Sequence, residues 1–359
     1  MKSFNKFVVY KQNILHNLSV IKSYTSAKIC VMVKADGYGY GKKIVAKLLD
    51  EKVDFFGVAN GVEALELKKI GIKTKMLVCG VIKDNLILDM IKNNISITCN
   101  SIQKLEKIAQ IAQKIKKNAY IHIKINSGMN RLGVKGEKQL DDIMYRAKKL
   151  NYIVVEGIFT HSGFSELEDK SFLEKQFNYF HDITFPYKDD VIVHFANSGS
   201  FCYKKEYHQN MVRIGKLIYG VNASNSLVTL PLRVPFGLFS EVVQVQDVKS
   251  GEYIGYGLNK MEHNGRIAIL PLGYGDGFLS IYTGKYVIIN HKRYKILSVC
   301  MDLIIVEADK NVKVGDSVLI MGTDGNDTIM VTEFSQNTHD VASQVVANLN
   351  KKRFDIVVK

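Results

Sequence analysis

Only four prolines occur in 359 residues, and no low-complexity linker interrupts the chain. With 47% hydrophobic residues, that excludes a disordered or fibrous protein. There is no run of roughly 18 apolar residues, so no membrane-spanning helix is expected. The opening stretch MKSFNKFVVYKQNI lacks an apolar core followed by a small-residue cleavage site. No secretory leader is therefore expected, and a cytoplasmic location is. The cysteines (Cys30, Cys79, Cys99, Cys202, Cys300) are odd in number and scattered, with no C-x-x-C pair. They read as reduced, mostly buried thiols, which excludes a disulfide framework and a zinc site.

Arginine is also scarce. Of 49 basic residues only seven are Arg: Arg131, Arg146, Arg213, Arg233, Arg266, Arg293 and Arg353. The formal net charge of +14 therefore comes from lysines spread along the chain, as in KIAQIAQKIKKNAYIHIK, and not from a stripe built for nucleic acid. The few arginines gain meaning, because Lys cannot replace a planar, permanently charged donor.

What is present is a repeating alternation. Eight short apolar runs occupy 28–34, 54–58, 75–79, 95–99, 119–125, 153–159, 191–195 and 210–215. Between them lie segments such as KKIVAKLLDEK and SIQKLEKIAQIAQKIKK, with apolar residues three and four apart. Continuous apolar strands alternating with helices predict an α/β fold with a parallel sheet. Eight units predict a (β/α)8 TIM-type barrel, with a doubly wound open sheet as the fallback. After about residue 230 the pattern becomes strand-like with glycine-bearing turns. The expected organisation is a barrel over 11–228 and a mainly β domain over 229–359, joined by the strand in residues 1–10.

Candidate functional residues cluster at the ends of the apolar runs. Lys34 ends VMVK and is followed by Gly37, Gly39 and Gly41, interleaved with Tyr38 and Tyr40. An amine at the C-terminal end of a barrel strand sits where such barrels do chemistry, and partial desolvation makes it a nucleophile towards an aldehyde. The spacing fits neither a P-loop nor G-x-G-x-x-G. Lys124 ends another run, and Arg131 follows in HIKINSGMNRLGV, suited to gripping a carboxylate. His161 in FTHSG, His194 and Asn197 in HFANSGS, and Arg213 in MVRIG complete the set. A charge inside an apolar strand is costly unless paired or aimed at a ligand. Ser198 and Gly215 are expected phosphate contacts. From the second domain come Tyr256 in YIGYGL, Tyr274 in PLGYGDGF and Met301 in SVCMDL.

As an ordered set spanning nearly the whole chain, these segments resemble those of the alanine racemases, fold-type III pyridoxal-phosphate enzymes. The resemblance implies that Lys34 carries pyridoxal phosphate on its ε-amine and is one of two catalytic bases, with Tyr256 the other. Tyr38, Asn197, Ser198 and Gly215 correspond to the phosphate side, and Arg213 to the arginine facing the pyridine nitrogen. His161 corresponds to the histidine beside the catalytic tyrosine, linked onward to Arg213. Lys124, often carbamylated in the family, corresponds to the lysine hydrogen-bonded to Arg131 on the substrate side. Tyr274 and Met301 correspond to residues closing that side, contributed with Tyr256 by the partner subunit of a homodimer. The implied product is D-alanine for peptidoglycan.

Three departures stand out. Tyr40 occupies a position where His is usual, Lys216 one where an apolar residue is common, and the C-terminal segment NLNKKRFDIVV has no tyrosine. They leave open a racemase of serine or another small amino acid. A non-catalytic pyridoxal-phosphate-binding protein is a second alternative, against which the β domain carrying Tyr256 argues. A decarboxylase is disfavoured by Arg213, since that reaction gains from a protonated pyridine.

Overall fold

A computed structural model describes residues 3–256, 259–335 and 342–359. The first strand, β1 (Lys6–Val9), precedes eight parallel strands. These are β2 (Lys28–Met32), β3 (Phe55–Val58), β4 (Lys75–Val78), β5 (Ser96–Cys99), β6 (Ala119–Lys124), β7 (Ile153–Phe159), β8 (Ile192–His194) and β9 (Met211–Ile214). Each falls within one of the eight apolar runs, and helical segments lie between them. Burial on both faces is what makes such strands read as unbroken apolar runs.

The hydrogen-bonded order is β8-β7-β6-β5-β4-β3-β2-β9, a nearly closed barrel. Its last seam, between β8 and β9, is not a ladder. Asn210 N–H donates to Val193 O at 3.0 Å and Arg213 N–H to Ala196 O at 2.9 Å. The Asn210 side chain accepts from Val193 N–H at 2.9 Å. The helix Ile102–Ile115 shows how the outer layer forms. Ser101 Oγ caps it by accepting from Lys104 N–H, and Leu105, Ile108, Ala109 and Ala112 are buried towards the sheet.

The remaining strands are β10 (Phe236–Glu241), β11 (Gln244–Val248), β12 (Gly265–Leu270), β13 (Tyr286–Ile289), β14 (Lys292–Val299), β15 (Ile304–Ala308), β16 (Ser317–Thr323), β17 (Thr328–Ile329) and β18 (Asp355–Val358). They form a second sheet in the order β11-β12-β15-β14-β13-β16-β10-β1-β18, with β17 on β16. β1 pairs antiparallel with β10 and parallel with β18, so the chain's first strand belongs to this sheet. The stretch TEFSQNTHDVASQVVANLNKKR has a helical look in sequence; it overlaps the helix Val331–Ser335 at its start and contains the helix Ala342–Ala347, and residues 336–341 between them lie outside the described residues.

Barrel and second sheet meet along an aromatic seam. Tyr38 stacks on Tyr219 at 5.1 Å, Tyr219 on Tyr40 at 4.7 Å, and Tyr40 meets Phe236 of β10 edge-on at 5.3 Å. Each such pair adds about 0.5–1.5 kcal/mol beyond area burial. Tyr40 is therefore a packing residue at this junction. No helix among the described residues is long and apolar enough to cross a membrane.

Candidate active site

Lys34 does not close its strand, contrary to the reading from sequence. β2 stops at Met32, and Lys34 opens a short helical segment, Lys34–Tyr38, whose middle is left-handed. Ala35, Asp36, Gly37 and Tyr38 have φ of 51°, 52°, 64° and 54°. Three of these carry a Cβ, which costs roughly 1–2 kcal/mol per residue in this region. The turn is held by its surroundings. Glu63 Oε1 accepts from Ala35 N–H at 2.9 Å, Asp36 Oδ1 from Lys42 N–H at 3.0 Å, and Val33 O from Gly37 N–H at 2.8 Å. Backbone strain maintained in this way is a pointer to function.

The turn borders a cavity of about 780 Å³ also lined by Tyr38, Lys124, Arg131, His161 and Arg213. Lys34 lies just past β2, Lys124 ends β6, His161 follows β7 and Asn197 follows β8. Together they mark the C-terminal mouth of the barrel, where catalytic groups of this architecture collect.

The cavity is strongly cationic, and its charges act on one another. Burial, and behind it the charges of Arg131 and Arg213, lowers the Lys34 pKa and favours the free amine. Burial and Arg213 push Lys124 well below the ordinary lysine range. Burial and Lys124 likewise keep the His161 ring neutral. Phe159 provides a shared platform: its ring lies 4.2 Å from Lys124 Nζ and 5.5 Å from the Arg213 guanidinium carbon.

Arg213 is buried and fully braced. Nη1 donates to His194 O at 2.9 Å and to His194 Nδ1 at 3.1 Å. Nη2 donates to Thr160 O at 2.7 Å and Phe195 O at 3.0 Å. Its Nε–H has no acceptor among the described residues, and the guanidinium borders the cavity. The expected link from His161 to Arg213 is not direct. The guanidinium instead donates to the backbone oxygen of Thr160, the residue before His161. Lys124 and Arg131 form no hydrogen bond either; the guanidinium can only donate, and an anionic group on Lys124 would give it an acceptor.

At the other end of the cavity Tyr38, Ser198 and Gly215 come together. Gly215 N–H donates to Ser198 Oγ at 3.1 Å. A Cβ on Gly215 would lie 2.5 Å from Tyr38 Oη, so only glycine permits this approach. Burial raises the Tyr38 pKa to about 12, which keeps it a hydroxyl donor. Lys216 Nζ pairs with Glu166 Oε1 at 2.6 Å beside these groups. Asn197 borders the cavity, but its side chain is used structurally. Oδ1 accepts from Gly199 and Ser200 N–H while Ser200 Oγ accepts from Asn197 N–H, a capping box, and Nδ2 donates to Ser162 O.

Tyr256, Tyr274 and Met301 do not line this cavity. All three are exposed, Tyr256 at 65%. They gather near the end of β14: Gly255 packs on Ser298, and Tyr274 N–H donates to Cys300 O at 3.0 Å. Gly257 of the GYG motif lies outside the described residues.

Family models place the chain. Residues 9–223 match the alanine racemase N-terminal domain and residues 236–357 the alanine racemase C-terminal domain. The chain belongs to the alanine racemase family. A family member from Methanococcus maripaludis is 34% identical over 352 residues, covering 94% of either chain. The solved alanine racemase of Clostridium difficile 630 is 31% identical with a TM-score of 0.91, covering 100% of this chain and 96% of that one. A histidine racemase from Leuconostoc mesenteroides, at 22% identity and a TM-score of 0.87 over 99% and 98% of the two chains, shares the fold.

Within this family fold, several site residues escape a reading of the sequence. Glu63 holds both Ala35 and Ala59 N–H groups, yet it reads as one more helix carboxylate. Glu166 follows His161 in a loop with nothing in its neighbours to mark it. Ser343 reaches the cavity from the C-terminal helix. Phe159 is an ordinary strand aromatic in sequence, and only its place just before T-H could have marked it.

Proposed function

We propose that the protein is a pyridoxal-phosphate-dependent isomerase that interconverts L- and D-alanine with two bases, as a cytoplasmic homodimer supplying D-alanine for peptidoglycan. The observation that carries this reading is the Lys34 amine, desolvated towards its free form beside the buried, four-bonded Arg213 in one cavity. The division of labour is cofactor binding by the barrel, 11–228, and delivery of Tyr256 by 229–359 with the first ten residues.

The residues fit the cofactor. Lys34 would hold its aldehyde carbon, Tyr38, Ser198, Gly215 and Lys216 would meet the phosphate, and the unpaired Nε–H of Arg213 would face the ring nitrogen. When bound, the cofactor supplies an electron-withdrawing system that accepts charge from the substrate α-carbon. Arg213 keeps its own proton, so it offers the ring nitrogen a hydrogen bond rather than full protonation. That restrains charge withdrawal to what proton exchange needs. Lys34 Nζ takes or returns the α proton on one face, and the Tyr256 phenol oxygen of a second copy does so on the other. His161, kept neutral, is available to accept from that phenol. Arg131 suits the substrate carboxylate. A carbamate on Lys124 would supply the anion that Lys124 and Arg131 need to engage each other.

The test is a chiral assay over a panel of L-amino acids, with cofactor absorbance read on the same sample. Alanine should racemise fastest, and Lys34→Ala should abolish both turnover and the band of lysine-bound cofactor. Protein without such absorbance, or an unchanged spectrum in Lys34→Ala, would sink the reading. A second outcome concerns Lys216. Lys216→Met removes a cation and leaves Glu166 facing the phosphate, so apoprotein titrated with cofactor should bind about tenfold more weakly, a difference of ~1.4 kcal/mol. Unchanged affinity would remove Lys216 from the phosphate site.

A further inference from the structure

Below the cavity the barrel interior holds a second polar system that the chemistry above does not use. Arg213 Nη1 donates to His194 Nδ1 at 3.1 Å. His194 Nε2 lies 2.9 Å from His122 Nδ1, and His122 Nε2 lies 3.2 Å from Glu156 Oε2. Both rings are fully buried. Ser96 Oγ donates to the same Glu156 oxygen at 2.5 Å, and Lys75 Nζ to the other at 2.7 Å. Lys75 opens β4 and is 61% exposed, so the chain of contacts runs from the catalytic mouth to the opposite end of the barrel.

Only one arrangement of protons satisfies this chain. A guanidinium can only donate, so His194 Nδ1 must accept and His194 must carry its proton on Nε2. That proton points at His122 Nδ1, which must accept in turn. His122 then carries its proton on Nε2 and donates to Glu156, a carboxylate that can only accept. The two ends dictate the same answer independently. A second proton on either ring would set two donors against each other somewhere along the line.

The surroundings are shaped to hold these rings. A Cβ on Gly157 would lie 2.4 Å from His122 Nδ1, so glycine beside Glu156 opens the slot that ring occupies. Phe159 stacks on His194 at 4.8 Å and 9°, which fixes its plane. Arg213 shares its cavity with Lys34, Lys124 and Arg131, and the two rings join its far side to the Glu156 carboxylate.

We propose that Glu156 is a positioning residue for racemisation: through His122 and His194, both held as Nε2–H tautomers, it keeps an acceptor on the Arg213 guanidinium and fixes the direction of the remaining Nε–H. The functional consequence rests on the racemase reading; the tautomers do not.

The experiment is nitrogen-15 NMR of histidine-labelled, cofactor-loaded protein, with wild type compared to Glu156→Leu and Glu156→Gln. In the wild type both rings should be neutral Nε2–H tautomers between about pH 6 and pH 8. Glu156→Leu leaves the His122 Nε2–H without its acceptor and the Arg213 end alone to hold the tautomers, so the His122 Nε2 resonance should shift while His194 stays an Nε2–H tautomer. Turnover should fall about tenfold or more in kcat with KM little changed, and the cofactor absorbance should shift. Glu156→Gln keeps an oxygen for His122 but not the charge. The tautomers should persist while kcat still falls, and this variant carries the test should Glu156→Leu not fold. An Nδ1–H or doubly protonated ring in the wild type, or wild-type kcat in Glu156→Gln, overturns the proposal. Correct tautomers in a protein that does not racemise alanine would overturn the assigned reaction and leave the relay standing.

Discussion

Replacing Tyr256 with phenylalanine lowers alanine racemisation by about 10²–10⁴-fold in both directions, the size of a lost general acid–base group. The ring and its packing survive the change; only the phenol oxygen is lost. Cofactor absorbance should be unchanged, because Lys34, Arg213 and Tyr38 lie in a cavity that Tyr256 of the same chain does not line. That separation makes a sharper test available. Neither Lys34→Ala nor Tyr256→Phe chains alone hold a complete pair of bases. Co-expressed in equal amounts, half of their dimers combine one chain of each kind. If Tyr256 serves the other copy's Lys34, each such dimer has one site with both bases and one with neither, and activity returns to about a quarter of wild type. If Tyr256 serves its own chain, every site in every dimer lacks one base and the mixture stays inactive. An inactive mixture of well-folded, cofactor-binding chains would therefore refute the shared site, and near-normal turnover in Tyr256→Phe would refute the second base.

Legibility followed physical cost. The eight barrel strands could be read because strands buried on both faces tolerate little but apolar residues. For the same reason Lys124 and Arg213 stood out: a charge at the end or in the middle of such a run is expensive and calls for an explanation. The left-handed turn at 35–38 could not be read, because Ala35 and Asp36 carry no sign that distant Glu63 will hold their backbone there. Glu156 was hidden similarly, its partners Ser96 and His122 being brought to it only by the register of neighbouring strands. The Lys216–Glu166 pair depends on a loop folding back across the mouth. Asn197 lines the cavity as expected, but its capping role could also have been read. N-S-G-S ahead of a helix is a capping pattern, and the cap commits the asparagine Oδ1 to the helix N–H groups. That Tyr256 stands outside its own chain's Lys34 cavity is likewise not written in either motif.

The buried histidines predict a steep loss of stability in acid. Burial, reinforced by Arg213 and Lys124, holds His194 and His161 well below the ordinary imidazole value of 6.5, and burial lowers His122 despite the opposing pull of Glu156. The unfolded chain binds protons at these positions below pH 6.5 and the folded chain does not. Stability is therefore unaffected above that value and falls as pH drops beneath it, by about 1.4 kcal/mol per pH unit for each ring. His208, lowered by its own burial, adds to the same acid limb, so several rings act together against the 5–15 kcal/mol that typically separates folded from unfolded domains. The carboxylates do not set this limit. Burial raises the Glu156 pKa, but hydrogen bonds from His122, Lys75 and Ser96 outweigh it and bring it to about 2. Its contribution is complete above the unfolded value near 4.5 and disappears only as pH falls towards 2. Denaturant unfolding measured from pH 7.5 down to pH 5 should accordingly show a midpoint that collapses below 6.5, in the apoprotein and in the loaded protein alike. His161→Asn, which removes one of these proton-binding sites and leaves the His194–His122–Glu156 chain whole, should flatten the slope. A flat profile down to pH 5 would mean that the rings are already charged in the folded state, and a charged His194 could not accept from Arg213.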